Sequence, residues 1–434
     1  MRLASLTLPF FAVVALAAAC TKTNPDFCGS DPCPIDGPPS IDGMTGCTAN
    51  PGVCTGEIST CLNDECVDCG TAANQESADC TATGMPVCGA DHACRACAAD
   101  SECTSGVCES GTCIAAAEVA YVSTTGTATT GCDLGAPCST MAQALAAIGS
   151  TRHYINVAPG TYSVSGATTI NATVTIRADG VTFERSTNDQ ILDVTGGNVT
   201  IIGATVHNAV GGGNADGIKC SNGAGLTLRK VIVDNNDDRG IEATDCQLTI
   251  TRSAITNNGK GGVRLVDGRA VITNSFVLSN GDNNATTGGG LSLTPSQNGS
   301  RVEFTTMRRN TAMTGSAGAM ACAGSPITAR NNLIFGSNNT DVEVSGASCT
   351  HSYSIIGPMN APTGTEVRML TLTEVGFVDP AVNSVAAAHI TAASLAKASA
   401  DPASAAADLA GDYDGDPRPN PTGGRADIGA DEIP

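Results

Sequence analysis

The feature that most constrains this chain is a beat of about 22 residues that runs through its middle. Gly-apolar pairs stand at Gly217-Ile218, Gly240-Ile241 and Gly262-Val263, and the runs Leu226-Thr227-Leu228 and Leu248-Thr249-Ile250 keep the same step. Asn pairs follow it at Asn235-Asn236 and Asn257-Asn258, then Asn280, while Gly290-Leu291 and Gly318-Ala319 continue with a step of 28. Each apolar run is too short to stand alone as a strand. A repeat of this length, with two or three short strands and no helix, is one coil of a parallel β-helix. Coils stack about 4.8 Å apart. Ile218, Ile241, Val263 and Leu291 therefore form an inward column, at roughly 1.5–3 kcal/mol per buried aliphatic side chain. Asn tolerates a left-handed corner and can bond the Asn above and below it. Fifty Gly and no Trp suit sharp corners around a narrow aliphatic core.

Upstream of about residue 118 the pattern changes. Fourteen of the 21 Cys lie between Cys28 and Cys113, among thirteen Asp/Glu and a single base, Arg95. Cys54, Cys61, Cys66 and Cys69 are echoed by Cys80, Cys88, Cys94 and Cys97. Such density in an exported chain means that disulfides replace an apolar core. The pairs Cys66/Cys69 and Cys94/Cys97 would fit zinc in a reducing compartment; here His92 is the one nearby His. Residues 47–117 read as a solvated acidic stalk, and 20–46 as a linker. Arg2 followed by an apolar run from Leu6 to Ala19 reads as an export signal over 1–19, shorter than the roughly 20 residues that span a membrane. Leu16-Ala17-Ala18-Ala19-Cys20 resembles a bacterial lipobox, with Ala17 where that pattern prefers Leu. The resemblance implies a lipid on Cys20, membrane contact through that anchor only, and a place at the bacterial outer membrane or cell surface.

Two further stretches carry a family resemblance. Tyr121-Val122-Ser123, Pro137-Cys138-Ser139-Thr140 with the run Met141 to Ile148, and Val157-Ala158-Pro159-Gly160-Thr161-Tyr162 look like the N-terminal cap of the pectin-lyase-like right-handed β-helix superfamily. Asp412-Tyr413-Asp414-Gly415-Asp416-Pro417-Arg418-Pro419 and Asp427-Ile428-Gly429-Ala430-Asp431-Glu432 resemble the ending of secreted β-helix proteins of the choice-of-anchor Q type, where an aromatic usually stands at Asp431. The resemblance implies an all-β, right-handed parallel β-helix over 118–434, with a capping helix at its start and a C-terminal cap. It also reads the Ala-rich stretch 381–410 as extended strand and loop, where propensity alone favours helix. The remaining Cys suggest three clips, Cys132–Cys138, Cys220–Cys246 and Cys322–Cys349. The last two join neighbouring coils but not one column.

Candidate chemistry clusters at the repeat. Asn214-Ala215-Asp216, Asp237-Asp238 and Gly259-Lys260-Gly261 resemble polygalacturonase-like hydrolases, which carry N-T-D, an acidic pair and G-H-G. By that resemblance Asp216 and either Asp237 or Asp238 would be acid and base, as an inverting glycosidase requires. Ala215 and Lys260 depart from the motif. Arg239, beside Asp237 and Asp238, is similar to the Ca2+-carboxylate and Arg-base arrangement of pectate lyases. A structural reading uses the same residues: Lys219, Glu242 and Arg264 align in one column, Asp216 over Arg239 and Asp238 over Lys260, and opposite charges so stacked stabilise. Asp412, Asp414 and Asp416 alternate like Ca2+ ligands, but Pro417 replaces the usual Gly and no Glu closes the loop. His153, His207, His351 and His389 are scattered. A net charge of −20 argues against a nucleic-acid binder. The expectation is a lipid-anchored surface β-helix for extracellular binding or structure, contacting polysaccharide or a cell-envelope component. The alternative is a polysaccharide lyase or glycoside hydrolase.

Overall fold

The computed structural model describes residues 60–433 apart from 64, 71–72, 83, 186, 188, 212, 283, 285–287, 338–341, 358–360 and 405–407. The expected signal 1–19, the lipidation site Cys20 and the linker 20–46 lie outside the described residues. The chain divides into two compact units. The first ends at Val67, and its described part is a hairpin of Thr60–Leu62 with Glu65–Val67, in which Cys61 and Cys66 each take part in a disulfide.

The second unit runs from Asp68 to Pro434 and is built on a parallel β-solenoid of about eight turns. Each turn contributes to three ladders. The first stacks Leu192–Gly196 on Ile218–Cys220, then the starts of Arg239–Thr251 and Gly261–Leu278, then Leu291–Thr294. The second stacks Val174–Arg177, Asn198–Ile202, Gly225–Arg229 and later parts of the same two long strands. The third includes Ile232–Asp234, Ala254–Thr256 and Leu333–Phe335. Strands alternate inward and outward, as Val174–Arg177 and Val181–Glu184 do. Ile218, Ile241, Val263 and Leu291 pair in register as one buried column.

The corners explain the Gly and Asn usage. Asn208, Asn235, Asn257, Ser279 and Arg309 hold left-handed backbone after the third ladder, and Lys230, Arg252, Asn274 and Asn331 do so after the second. In each Asn pair the second residue turns inward. Asn236, Asn258, Asn280 and Asn310 form a buried stack in which each Nδ2 donates to the next Oδ1, at 2.9, 2.9 and 3.1 Å. Each Oδ1 also accepts the backbone N–H of the Asn one coil before, at 3.2, 3.1 and 3.0 Å. The repeating Gly lie against this stack. A Cβ on Gly217 or Gly240 would come within 2.8 Å of the next Gly carbonyl, and one on Gly262 within 2.6 Å. The Gly-apolar beat is thus a close backbone approach rather than a flexible joint.

Both solenoid ends are covered. The helix Met141–Ala146 starts at Thr140, whose side chain accepts the Gln143 N–H while Gln143 reaches back to the Thr140 N–H, a reciprocal cap. Met141 and Ala144 join the solenoid core. At the other end, residues 361–433 fold back over the third ladder, burying Phe276, Phe304 and Leu333 beneath Phe377, Ile390 and Ala430. The described residues of the Ala-rich stretch are irregular there, with a 3-10 turn at Ala386–Ala388. Arg418, buried against Glu432 and over the Phe304 ring at 4.7 Å, orders this tail.

Cys132–Cys138, Cys220–Cys246 and Cys322–Cys349 are bonded. Cys220 stacks on Ala243, so its bond reaches three residues further along the next coil, with Cα atoms 5.9 Å apart. The described Cys-rich residues carry Cys69–Cys88, Cys80–Cys94, Cys97–Cys108 and Cys103–Cys113. From Asp68 onward they belong to the solenoid's unit and are docked on its first coils, not held apart as a stalk. Tyr121 Oη donates to the Ser105 carbonyl at 3.1 Å, Asn156 Nδ2 to the Ser105 and Gly106 carbonyls at 3.2 Å, and Arg177 pairs with Glu109. The compact unit that holds the solenoid begins at Asp68 and takes in these Cys-rich residues.

Candidate functional site

Asp216 sits at the corner just before Ile218–Cys220, where Gly217 lets the chain pass close to the next coil. Its Oδ1 accepts the backbone N–H of Arg239 at 3.0 Å, so it holds the coil above by a main-chain contact rather than through the guanidinium. Burial pushes its carboxyl up to about 6 against that hydrogen bond, with Asp238 and Glu242 adding to the rise. Arg239 turns its side chain along the first ladder, with Nε 3.3 Å from Glu242 and a terminal nitrogen 3.9 Å from Asp238. Glu242 also pairs with Arg264 on the following coil, and Lys219, Glu242 and Arg264 stack in register.

Asp216, Asp238 and Arg239 are thus brought together, and Glu242 and Arg264 complete the cluster. Asp237 and Lys260 are exposed at its margin. Asp237 Oδ2 accepts the Gly211 N–H at 2.8 Å, and Lys260 meets Asp238 through its backbone N–H, which donates to the Asp238 carbonyl at 2.9 Å. Chemically, a buried carboxyl titrating near neutrality is suited to proton transfer. The Arg that would act as base is instead held between two carboxylates.

The three tail aspartates do not converge on one cation. Asp412 is fully buried, with Oδ1 accepting the Gly415 and Asp416 N–H groups and Oδ2 the Glu432 N–H. Asp414 instead bonds His389 Nε2 at 2.7 Å, beside Asp431 at 3.8 Å. Those three residues place ligand-type atoms within 4.8 Å of one another, a grouping the sequence hid because 25 residues separate His389 from Asp414. His389 Nδ1 donates to the Val385 carbonyl at 2.8 Å. Burial lowers its pKa, but Asp431 and Asp414 outweigh that and raise it, so the group suits an imidazolium held by carboxylates.

The family model described as "Right handed beta helix region" matches residues 158–304 and 191–355, in keeping with the right-handed parallel β-helix fold of the second unit. No curated protein matches the chain. Among solved structures, the crystal structure of pectate lyase Pel9A is similar at 16% identity and a TM-score of 0.38, covering 73% of this chain and 96% of that one.

Proposed function

We propose that the protein is an extracellular, carbohydrate-contacting β-helix that binds rather than cleaves, held at the cell surface by a lipid on Cys20. The observation that carries the binding reading is the commitment of the candidate catalytic groups to structural contacts: Asp216 to the Arg239 backbone, and Arg239 to Glu242 and Asp238. Among the described residues no helix is long and apolar enough to cross a membrane, and the anchor proposal supplies attachment at a residue outside them. Incubated with uronate-containing and neutral glycans, the protein is expected to be retained on glycan without releasing reducing ends or unsaturated products. Labelling with a fatty-acid analogue is expected to vanish in Cys20→Ser; label that survives refutes the anchor.

A second reading, glycan cleavage, is favoured by one observation, the Asp216 carboxyl raised to about 6 beside a second carboxylate. Turnover abolished by Asp216→Asn or Arg239→Ala would replace the first reading with this one.

A further inference from the structure

A different part of the second unit presents its charge unpaired. A cleft of about 600 Å3 lies between the disulfide-rich segment and the second ladder. One wall is formed by 97–101 and 108–111, closed by the Cys97–Cys108 bond. The floor is a single outward column on successive coils, Arg177, Ile202, Arg229 and Thr251, each in register with the next. Lys230, Arg252 and Asp179 rim it at the corner.

Arg177 fixes the wall. It donates to the Cys108 carbonyl at 2.9 Å and pairs with Glu109 at 2.5 Å and Asp100 at 3.6 Å, which consumes the wall's two carboxylates. Arg252 Nε donates to the Tyr413 carbonyl at 3.4 Å. Arg229 and Lys230 are exposed, and among the described residues no ion pair or hydrogen bond engages their side chains. Asp179 is the remaining acid of the lining. In a chain of net charge −20, adjacent cations facing a walled cleft attract an anionic partner.

We infer that this cleft binds an acidic oligosaccharide, whose carboxylate or sulfate groups are held by Arg229 and Lys230. The inference rests on the glycan-contact reading above and gives it a place and a charge. Arg229 and Lys230 are neighbours on one coil, and Arg252 follows on the next, about 4.8 Å along the floor, the scale of one sugar residue. Ser101, Ser110 and Thr251 supply hydroxyls along the same walls. The lining holds no aromatic ring, so selection falls to charge rather than to stacking on a sugar face.

The test is titration of the full chain, disulfides intact, with an oligogalacturonate, a sulfated heparin-derived oligosaccharide, a neutral xylo-oligosaccharide and inorganic phosphate. The double variant Arg229→Gln/Lys230→Asn removes both charges; Lys230 sits at φ 55°, a conformation that Asn accepts. Acidic oligosaccharides are expected to bind, and the double variant to weaken them roughly tenfold or more, with an unchanged thermal midpoint and no effect of Lys397→Gln. Added salt is expected to weaken binding to the native chain. The oligogalacturonate and heparin arms decide between carboxylate and sulfate. If the double variant melts early, Arg229→Glu alone serves. Acidic binding that persists in a folded double variant overturns the site and leaves glycan contact standing. Neutral binding as tight as acidic, or phosphate matching the oligosaccharides, overturns the ligand class. No binding of any glycan overturns this inference together with the reading on which it rests.

Discussion

Asp216 and His351 titrate in overlapping windows with opposite consequences. Asp216 is raised from 3.8 to about 6 in the folded protein. The folded state therefore holds its proton more tightly, and the stability this gives is present below pH 3.8 and lost as pH rises through 6. His351 points into the core near the last coil, its Nδ1 buried with no partner among the described residues, and burial lowers it from 6.5 to about 4. Its contribution is lost as pH falls from 6.5 towards 4, because the unfolded chain takes up the proton first. Asp216→Asn keeps an oxygen for the Arg239 N–H and cannot ionise. It is expected to stabilise the protein at pH 7 by about 1–3 kcal/mol and hardly at all at pH 3.5, read from urea unfolding at the two pH values. His351→Leu is expected to abolish an acid-side loss of up to about 3 kcal/mol between pH 6.5 and 4, measured by the same titration. The native chain should show a flatter pH profile than either variant.

At the scale of the element, the Asn stack ties successive turns together. Asn258 accepts from the backbone and side chain of Asn236, and its Nδ2 serves Asn280 and the Val233 carbonyl. Asn258→Ala orphans several buried groups at once and is expected to cost about 2–4 kcal/mol. Asn257→Gly, at the exposed left-handed corner beside it, should stay within about 1 kcal/mol. Denaturant midpoints of the two variants separate a stack from a mere corner. The stack also shows what is legible in a repeat. Asn236, Asn258 and Asn280 keep the 22-residue step, as do Ile218, Ile241 and Val263, so fold and inward column follow from periodicity. Asn310 escapes because the turn between Asn280 and Asn310 carries an insertion and the step grows to 30. Around Asp216 the aligned charge column was readable, since stacking follows from the same period. That Asp216 would bond the Arg239 backbone and not its guanidinium was not, because a rotamer leaves no trace in spacing. The cleft is hardest to see. Its floor is hinted at by strand-final Arg in Val174-Thr175-Ile176-Arg177 and Leu226-Thr227-Leu228-Arg229, but its wall comes from a segment nearly 70 residues upstream of Arg177.

Across the whole molecule, two kinds of cohesion meet near residue 118. The solenoid holds a long aliphatic core, while the segment below it is packed around Val87, Cys97 and Cys103, so sulfur bonds stand in for apolar area. Reduction is expected to open the segment to protease before the solenoid melts. The surviving fragment should begin near Val119 and keep its β-sheet circular dichroism; simultaneous loss of both signals would refute the division. From 119 onward 27 acids face 19 bases, so most of the negative charge lies upstream, and the cleft forms where Arg177 neutralises part of it. Two interleaved pairs of disulfides, Cys69–Cys88 with Cys80–Cys94 and Cys97–Cys108 with Cys103–Cys113, leave this stretch almost no slack. A pull from the N-terminal side would therefore not be absorbed by uncoiling. It would pass to Val119–Val122, a fully buried strand lying parallel to Tyr154–Val157, and load that pair in shear, where its ladder of hydrogen bonds must give way together rather than one at a time.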